Sequence, residues 1–525
     1  MSAILPMLRL LRANFVLARE GVLGIVPVED APAPVRLAVR VGRLIERRSA
    51  QKRDMAARLS RALDRLGPSY VKLGQFLATR ADVVGEEVAA ELAKLQDQVP
   101  PVPDEEARRA IELALGAPAD EIFADLGECV AAASIAQVYK GEITDANGTR
   151  AVAVKVLRPG VARRFERDLQ SYYVAARILE RYVSATRRLR PIAIVDTLAA
   201  SVRFEMDLRL EAAAISEMAE NAAEDEGFRV PRVEWSRTTR TVLTMEWIEG
   251  IKMSRVDLLR EAGFDLPELA RVVLQTFLRH ALRDGFFHAD MHQGNLFVEP
   301  DGTLVAVDFG ITGRLSRTER AILAQILYGF IVRDYRHVSE AHFRAGYVPE
   351  TQDVDLFAQA LRAIGEPIRD VTAADISMSR LLAQLFEVTE LFEMATQPQL
   401  IMLQKTMVVV EGVARSLDPN LDIWRVSDPV VREWMTDELG PAGTMRKAQD
   451  SASALMRAAL AAPELAERLD RISKDLETVL ERGVTIAPGS LRELAGYRAA
   501  GSFLRLAALW LGAISLAVIA WDLLF

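Results

Sequence analysis

The 525-residue chain contains one cysteine, Cys129, and five histidines. A single thiol excludes intramolecular disulfides and any site built from several cysteines, and it fits a reducing compartment. His288 and His292 lie close in sequence, but no third nitrogen or sulfur ligand stands nearby, so a zinc centre is not expected. A cluster of cations is also missing. With 65 Lys and Arg against 73 Asp and Glu, the formal charge of −8 argues against a general nucleic-acid binder, which needs many cations on one face. No G-x-G-x-x-G follows a strand and no iron-ligand cluster occurs, which sets aside a monooxygenase. The amino terminus, MSAILPMLRLLRANFVLAREG, lacks a signal-peptide layout because Arg9, Arg12 and Arg19 interrupt its apolar stretch. It reads as an amphipathic helix, either packed on the core or lying on a bilayer surface.

What is present is ordinary globular material, 50% hydrophobic and 26% charged, long enough for two to four substructures. Residues 1–115 read as a helical extension, with three-to-four apolar spacing that Gly67-Pro68 punctuates. Residues 116–246 turn β-rich: SIAQVYKGEI and AVAVKVL flank Asn147-Gly148, a hairpin signal, and RVPRVEW and RTVLTMEWI alternate like strands. Residues 247–435 are mostly helical, broken by LVAVDFG, and 436–502 form a charged helical region. The stretch from Leu506 to Trp521 has no charged residue, and 503–525 makes about 34 Å of helix, enough for one bilayer crossing. Arg492, Arg498 and Arg505 precede it, which places the bulk of the chain on the cytoplasmic side of the inner membrane.

The chemistry concentrates in GFFHADMHQGNLFVEPDGTLVAVDFG. Asp290, Asn295 five residues later and Asp308 thirteen beyond that repeat the spacing of a kinase catalytic loop and its DFG. Asp290 can orient or deprotonate an attacking oxygen, while Asn295 and Asp308 offer oxygen ligands to Mg²⁺ on nucleotide phosphates. Upstream, VAVK ends in Lys155, the strand lysine that such a site uses to hold phosphates. The nucleotide-covering loop is expected over Val130, Ala131, Ala132, Ala133, Ser134, Ile135, Ala136, Gln137 and Val138. Laid on GxGxxGxV, its three glycine positions are Ala131, Ala133 and Ala136, so a stiffer backbone meets the phosphates. Lys155 needs a helical carboxylate, and among Glu205, Asp207 and Glu211 the last has the apolar neighbours to face the lobe. LTMEWIEG is expected to cross to the hinge, with Met245 lining the base pocket and the backbone at Glu246 and Trp247 meeting adenine.

These residues resemble the UbiB family of atypical, protein-kinase-like proteins. LGPSYVKLGQFLATRADVV, ELAKLQDQVPP, the alanine loop, EMD, EWIEG, HADMHQGN and VDFG follow in that family's order across about residues 65–420. The resemblance implies an α+β, bilobal protein-kinase-like fold with a KxGQ helical extension over the active site. In that arrangement Lys72 and Gln75 project into the cleft where a protein kinase admits peptide, and Glu205 and Asp207 meet the extension. It further implies ATP and Mg²⁺ as cofactors, and lipid-stimulated ATP hydrolysis or small-molecule phosphorylation in ubiquinone biosynthesis. Membrane lipids, prenyl-phenol or quinone intermediates and other enzymes of that pathway are the implied partners; homodimerisation is left open. A protein kinase acting in trans and a nucleotide-binding scaffold without turnover are the competing classes. Bacterial relatives commonly end in two membrane helices, whereas this chain offers length for one.

Overall fold

A computed structural model of the chain describes residues 4–22, 55–78, 101–146, 148–182, 190–369 and 398–439, with isolated positions 84, 88, 92, 388 and 391–394. The chain divides into compact units 1–436 and 437–525, and the first holds the sheets and the cleft. The expected membrane segment 503–525 and nearly all of 436–502 lie outside the described residues. Among the described residues no helix is long and apolar enough to cross a membrane.

Three helices, α1 (Ile4–Arg19), α2 (Met55–Leu66) and α3 (Pro68–Ala78), form the amino-terminal extension. Gly67 takes φ +103°, a left-handed turn that glycine reaches without steric cost, and Pro68 then starts α3 where its missing N–H is not needed. After α4 (Asp104–Leu115) come β1 (Asp125–Ala132), β2 (Ala136–Asp145), β3 (Gly148–Leu157), α5 (Val161–Tyr182), α6 (Pro191–Glu205) and α7 (Leu208–Asn221). The extension docks on α5: Tyr70 meets Tyr172 edge-on with ring centroids 5.2 Å apart, Ser69 hydrogen-bonds Asp168, and Arg9 donates to the carbonyl of Arg167 at 2.8 Å.

The strands β4 (Phe228–Arg229) and β5 (Val242–Glu246) follow, and the upper sheet runs β1-β2-β3-β5, antiparallel throughout. Alternation along β3 explains its two faces. Val152, Val154 and Val156 pack against Ala107 and Ile111 of α4, whereas Ala153 and Leu157 join the main core with Lys155 between them. Strand character for RVPRVEW is only partly realised: it yields the two-residue β4, an isolated bridge from Val233 to Met245 and a single tight turn at Trp235–Arg237. Pro231 in its middle has no N–H to donate to a ladder.

The lower half begins with β6 (Ile251–Lys252) and α8 (Leu266–Arg279), which Asp265 caps by accepting from the Glu268 amide. Leu269, Ala270, Val273, Leu274 and Phe277 give α8 a wide apolar face, and it is buried in the main core. The short strands β7 (Phe286–His288), β8 (Leu296–Val298), β9 (Leu304–Ala306) and β10 (Thr312–Arg314) come next. They form the sheet β4-β9-β8-β6 and the pair β10-β7. Gly313 is obligatory at that pairing, since a Cβ there would lie 2.1 Å from the Phe287 ring. Helices α9 (Arg317–Val332), α10 (Tyr335–Arg344), α11 (Val354–Arg369), α12 (Pro398–Leu417) and α13 (Ile423–Leu439) complete the unit, with Leu403, Val410, Val413 and Ala414 of α12 buried in the same core as α8.

Candidate active site

Lys155 stands between two carboxylates. Its Nζ is 2.7 Å from Glu211 Oε1 and 3.0 Å from Asp308 Oδ1. Glu211 reaches it because α7 buries Leu208, Glu211, Ala212, Ile215 and Met218 along one helical stripe, so the carboxylate chosen from the sequence is the one that faces the sheet. Burial works against the charge of Lys155, and the two carboxylates overcome it, holding its pKa above the ordinary lysine value. Asp308 is held down at about 2 chiefly by the ammonium of Lys155. Burial, with Asp308 adding like-charge repulsion, pushes Glu211 up to about 7 against the pull of Lys155. The Asp308 side chain is 51% exposed.

Asp308 has φ +62°, a left-handed conformation rare outside glycine and asparagine and one that marks functional turns. Phe309 anchors it, 2% exposed, with its ring centroid 4.6 Å from that of His288. A Cβ on Gly310 would come within 3.3 Å of Asp308 Oδ1, so the third residue of the motif has to be small.

The loop between β7 and β8 is tied to this turn by backbone. His288 accepts from the Asp290 amide through Nδ1 at 3.1 Å, and its Nε2 lies 3.1 Å from the carbonyl of Val307. Burial lowers the His288 pKa, favouring the neutral ring with its proton on Nε2 that this pattern requires. Asn295 donates from Nδ2 to the Asp290 carbonyl at 3.1 Å, and the Val307 amide donates to the Asn295 carbonyl at 2.9 Å. Asp290, Asn295 and Asp308 are thus parts of one hydrogen-bonded unit. The Asp290 side chain is 44% exposed, with His292 3.8 Å away. Among the described residues no three His, Cys, Asp or Glu form a metal cage. The Asn295 amide oxygen and the Asp308 carboxylate fit Mg²⁺, which usually takes one or two protein ligands and fills its shell with phosphate and water.

Cross-strand pairing sorts the loop residues proposed for nucleotide. Ala131 pairs with Val138, Val138 with Lys155, Ala136 with Leu157, and Ala153 with Met245; paired residues share a face, so all lie on the Lys155 side. Four of the expected loop residues are placed otherwise. Val130 is the extra residue of a bulge in β1 and is 51% exposed. Ala132 pairs with Gln137, and Gln137 belongs to the opposite face, where its Oε1 accepts from the Val102 amide at 3.0 Å and its Nε2 donates to the Tyr139 hydroxyl. Ser134 is fully buried, turned inward rather than toward the cleft. At the hinge, the amide of Glu246 donates to Arg232 at 2.8 Å and that of Trp247 to Ala151 at 3.2 Å, which leaves the expected backbone contact with adenine to carbonyl oxygens. Met245 is buried and pairs with Ala153 on the Lys155 face.

Arg158, unremarked in the sequence, shapes the alanine loop. Its Nε donates to the Ala133 carbonyl and its amide to the Ile135 carbonyl, at 2.8 and 2.9 Å, while the Ala133 amide closes on Ala136 at 2.8 Å. Arg229 is a second such residue: it grips Glu246 at 3.0 Å and Glu299 at 2.7 Å. Lys72 of α3 meets Glu205 at the end of α6, 2.5 Å apart and largely shielded from solvent. Among the described residues Asp207 makes no hydrogen bond to the extension; it caps α7 and binds Arg209 at 2.9 and 2.6 Å. Gln75 is half-buried on α3 beside them and makes no side-chain hydrogen bond among the described residues.

A four-stranded antiparallel roof with a buried lysine, a helical glutamate bound to it, and a floor carrying Asp290, Asn295 and Asp308 defines a protein-kinase-like protein. Residues 94–342 match the ABC1 atypical kinase-like domain and 361–422 match the UbiB helical domain. Over 449 residues, 84% of this chain and 81% of the relative, the sequence is 38% identical to a curated "Probable protein kinase UbiB" of Marinobacter nauticus. The chain belongs to the UbiB family of atypical kinases, and membership implies a role in ubiquinone biosynthesis. A Mycobacterium tuberculosis protein solved with erythromycin is also similar, with 24% identity and a TM-score of 0.48 over 74% of this chain and 96% of that one.

Proposed function

We propose that the chain binds Mg²⁺-ATP between its two halves and spends it, by slow hydrolysis or by transfer to a small acceptor, in support of ubiquinone biosynthesis at a membrane. The observation that carries this reading is Lys155 held charged between Glu211 and Asp308. In this reading the Lys155 ammonium meets the nucleotide phosphates, and Asn295 and Asp308 hold the cation. The ion supplies charge neutralisation at the transferring phosphoryl group. Asp290, partly open to solvent, orients water or a small hydroxyl and takes its proton. Ala131, Ala136, Val138, Ala153 and Met245 form the apolar roof over the base.

The membrane part of the reading draws on α1, where Leu5, Leu8, Leu11 and Phe15 are exposed at helical spacing beside Arg12 and Arg19 with no acidic residue in the helix. Residues 503–525 would add a single anchor. A scaffold that binds nucleotide without turnover is favoured by one feature, the closure of the Ala133 amide on Ala136, which withdraws a donor from the phosphates.

The deciding measurement is phosphate release by the full-length protein with Mg²⁺-ATP, with and without anionic vesicles, beside Asp290→Ala. Turnover stimulated by vesicles and lost in the variant is expected. Tight nucleotide binding with no turnover in either protein would replace the enzyme by the scaffold. Quinone profiling of cells lacking the chain tests the pathway, and a normal quinone pool would remove it.

A further inference from the structure

Helix α12 lies in the helical region beyond the kinase-like motifs, yet it touches the catalytic loop twice. The Thr406 hydroxyl, 1% exposed, is 2.8 Å from the Met402 carbonyl of its own helix and 3.1 Å from the carbonyl of Ala289, the residue before Asp290. One helical turn would satisfy this hydroxyl without the loop, as threonines in helices commonly are. The one hydroxyl proton is shared between the two carbonyls, and Ala289 is also held on its other side, its amide donating to the Ile311 carbonyl at 3.1 Å. Further along, Gln293 Nε2 donates to Ser416 Oγ at 2.7 Å, and Ser416 in turn donates to the Val413 carbonyl at 2.6 Å. The two contacts bracket Asp290. Between them Met291, 1% exposed, is buried in the core that receives Leu403, Val410 and Val413.

We propose that α12 is the positioning element of the active site: Thr406 and the Gln293–Ser416 pair fix the backbone that carries Asp290. This rests on the reading of Asp290 as the group that meets the attacking oxygen. Thr406 and Ser416 act only through the loop. Displacement centred on Ala289–Gln293 moves the Asp290 carboxylate more than Lys155 or Asp308, which lie outside that segment, so the loss appears mainly in kcat, with a smaller change in KM for ATP through Asn295.

The test compares Thr406→Val, Thr406→Ser and Ser416→Ala in the full-length chain by two readouts. Hydrogen exchange over 286–297 needs no activity. It is expected to accelerate roughly tenfold in Thr406→Val and in Ser416→Ala, with Thr406→Ser at the wild-type rate and 148–157 unchanged in all three. In turnover, kcat is expected to fall on the order of tenfold in Thr406→Val, with KM for ATP within about twofold, and Thr406→Ser restores it. Unchanged exchange over 286–297 in both disruptive variants overturns the proposal, as does acceleration confined to 398–410. If the wild type shows no turnover, the Asp290 reading falls, while the exchange result still decides whether α12 holds the loop.

Discussion

Lys72 and Glu205 face each other at 2.5 Å, joining the helix that carries the KxGQ sequence to the end of α6. The pair is shielded, with side-chain exposures of 16% and 10%, so removing one partner leaves a poorly solvated charge. Glu205→Gln is expected to loosen α3 from the body. Amide exchange over 68–78 should rise on the order of tenfold while the sheet is unaffected. Equal protection in both proteins would show that the contacts of Tyr70, Ser69 and Arg9 with α5 hold the extension without the Lys72–Glu205 pair.

Asp308→Asn removes the carboxylate that pairs with Lys155 and faces the cleft. Nucleotide binding should lose its Mg²⁺ dependence, because one of two oxygen ligands becomes neutral. Calorimetric titration of ATP with and without Mg²⁺ checks this. A variant that still binds Mg²⁺-ATP as tightly as wild type contradicts the assignment.

The alanine loop offers a graded test. Ala133→Gly frees backbone that Arg158 and Ala136 now pin, at a cost of about 0.5–1 kcal/mol of order in the loop. ATP and ADP affinities are expected to shift by about two- to fivefold. Arg158→Gln should move them in the same direction, since the Ala133 carbonyl loses the same partner. Unaltered affinities for both nucleotides in both variants would show that the loop does not touch phosphate.

Asp225 links pH to stability. It is buried beside His280, at 3.0 Å, and Arg283, at 2.5 Å. Burial raises its pKa, but the hydrogen bonds from His280 and Arg283 outweigh that and hold it well below the ordinary carboxylate range. With the folded value depressed, its stabilisation is complete above about pH 4 and is lost as pH falls further. Asp225→Asn should cost about 3 kcal/mol at neutral pH and flatten the acid limb of the unfolding curve. Denaturant titrations at pH 7 and at pH 3 report both, and parallel curves for the two proteins would refute the linkage.

Much of this was legible in the sequence because catalytic spacing is local. Asp290, Asn295 and Asp308 lie within nineteen positions, and VAVK carries its own alternation, so the floor and the lysine could be placed without tertiary information. Glu211 was recoverable because α7 has an apolar stripe on which only one of its carboxylates falls. Gln137 was not: two-residue alternation flips with register, and only the pairing of Val138 with Lys155 fixes which face of β2 it takes. Thr406 lies 117 positions from Ala289, and a lone threonine in a helix carries no mark of a partner so distant. The engagement of the hinge amides was hidden for a similar reason, since the Arg232 carbonyl in a loop and the Ala151 carbonyl in β3 claim them from distant sequence.

Arg229 gives the cleft a fulcrum. One guanidinium is clasped by Glu246 at the last position of β5 and by Glu299 just past β8, so roof and floor are pinned at the back by a shared cation. In the proposed nucleotide-binding role that shared cation restrains the two sheets where they meet, and Met245, the neighbour of Glu246, lies beside the restraint.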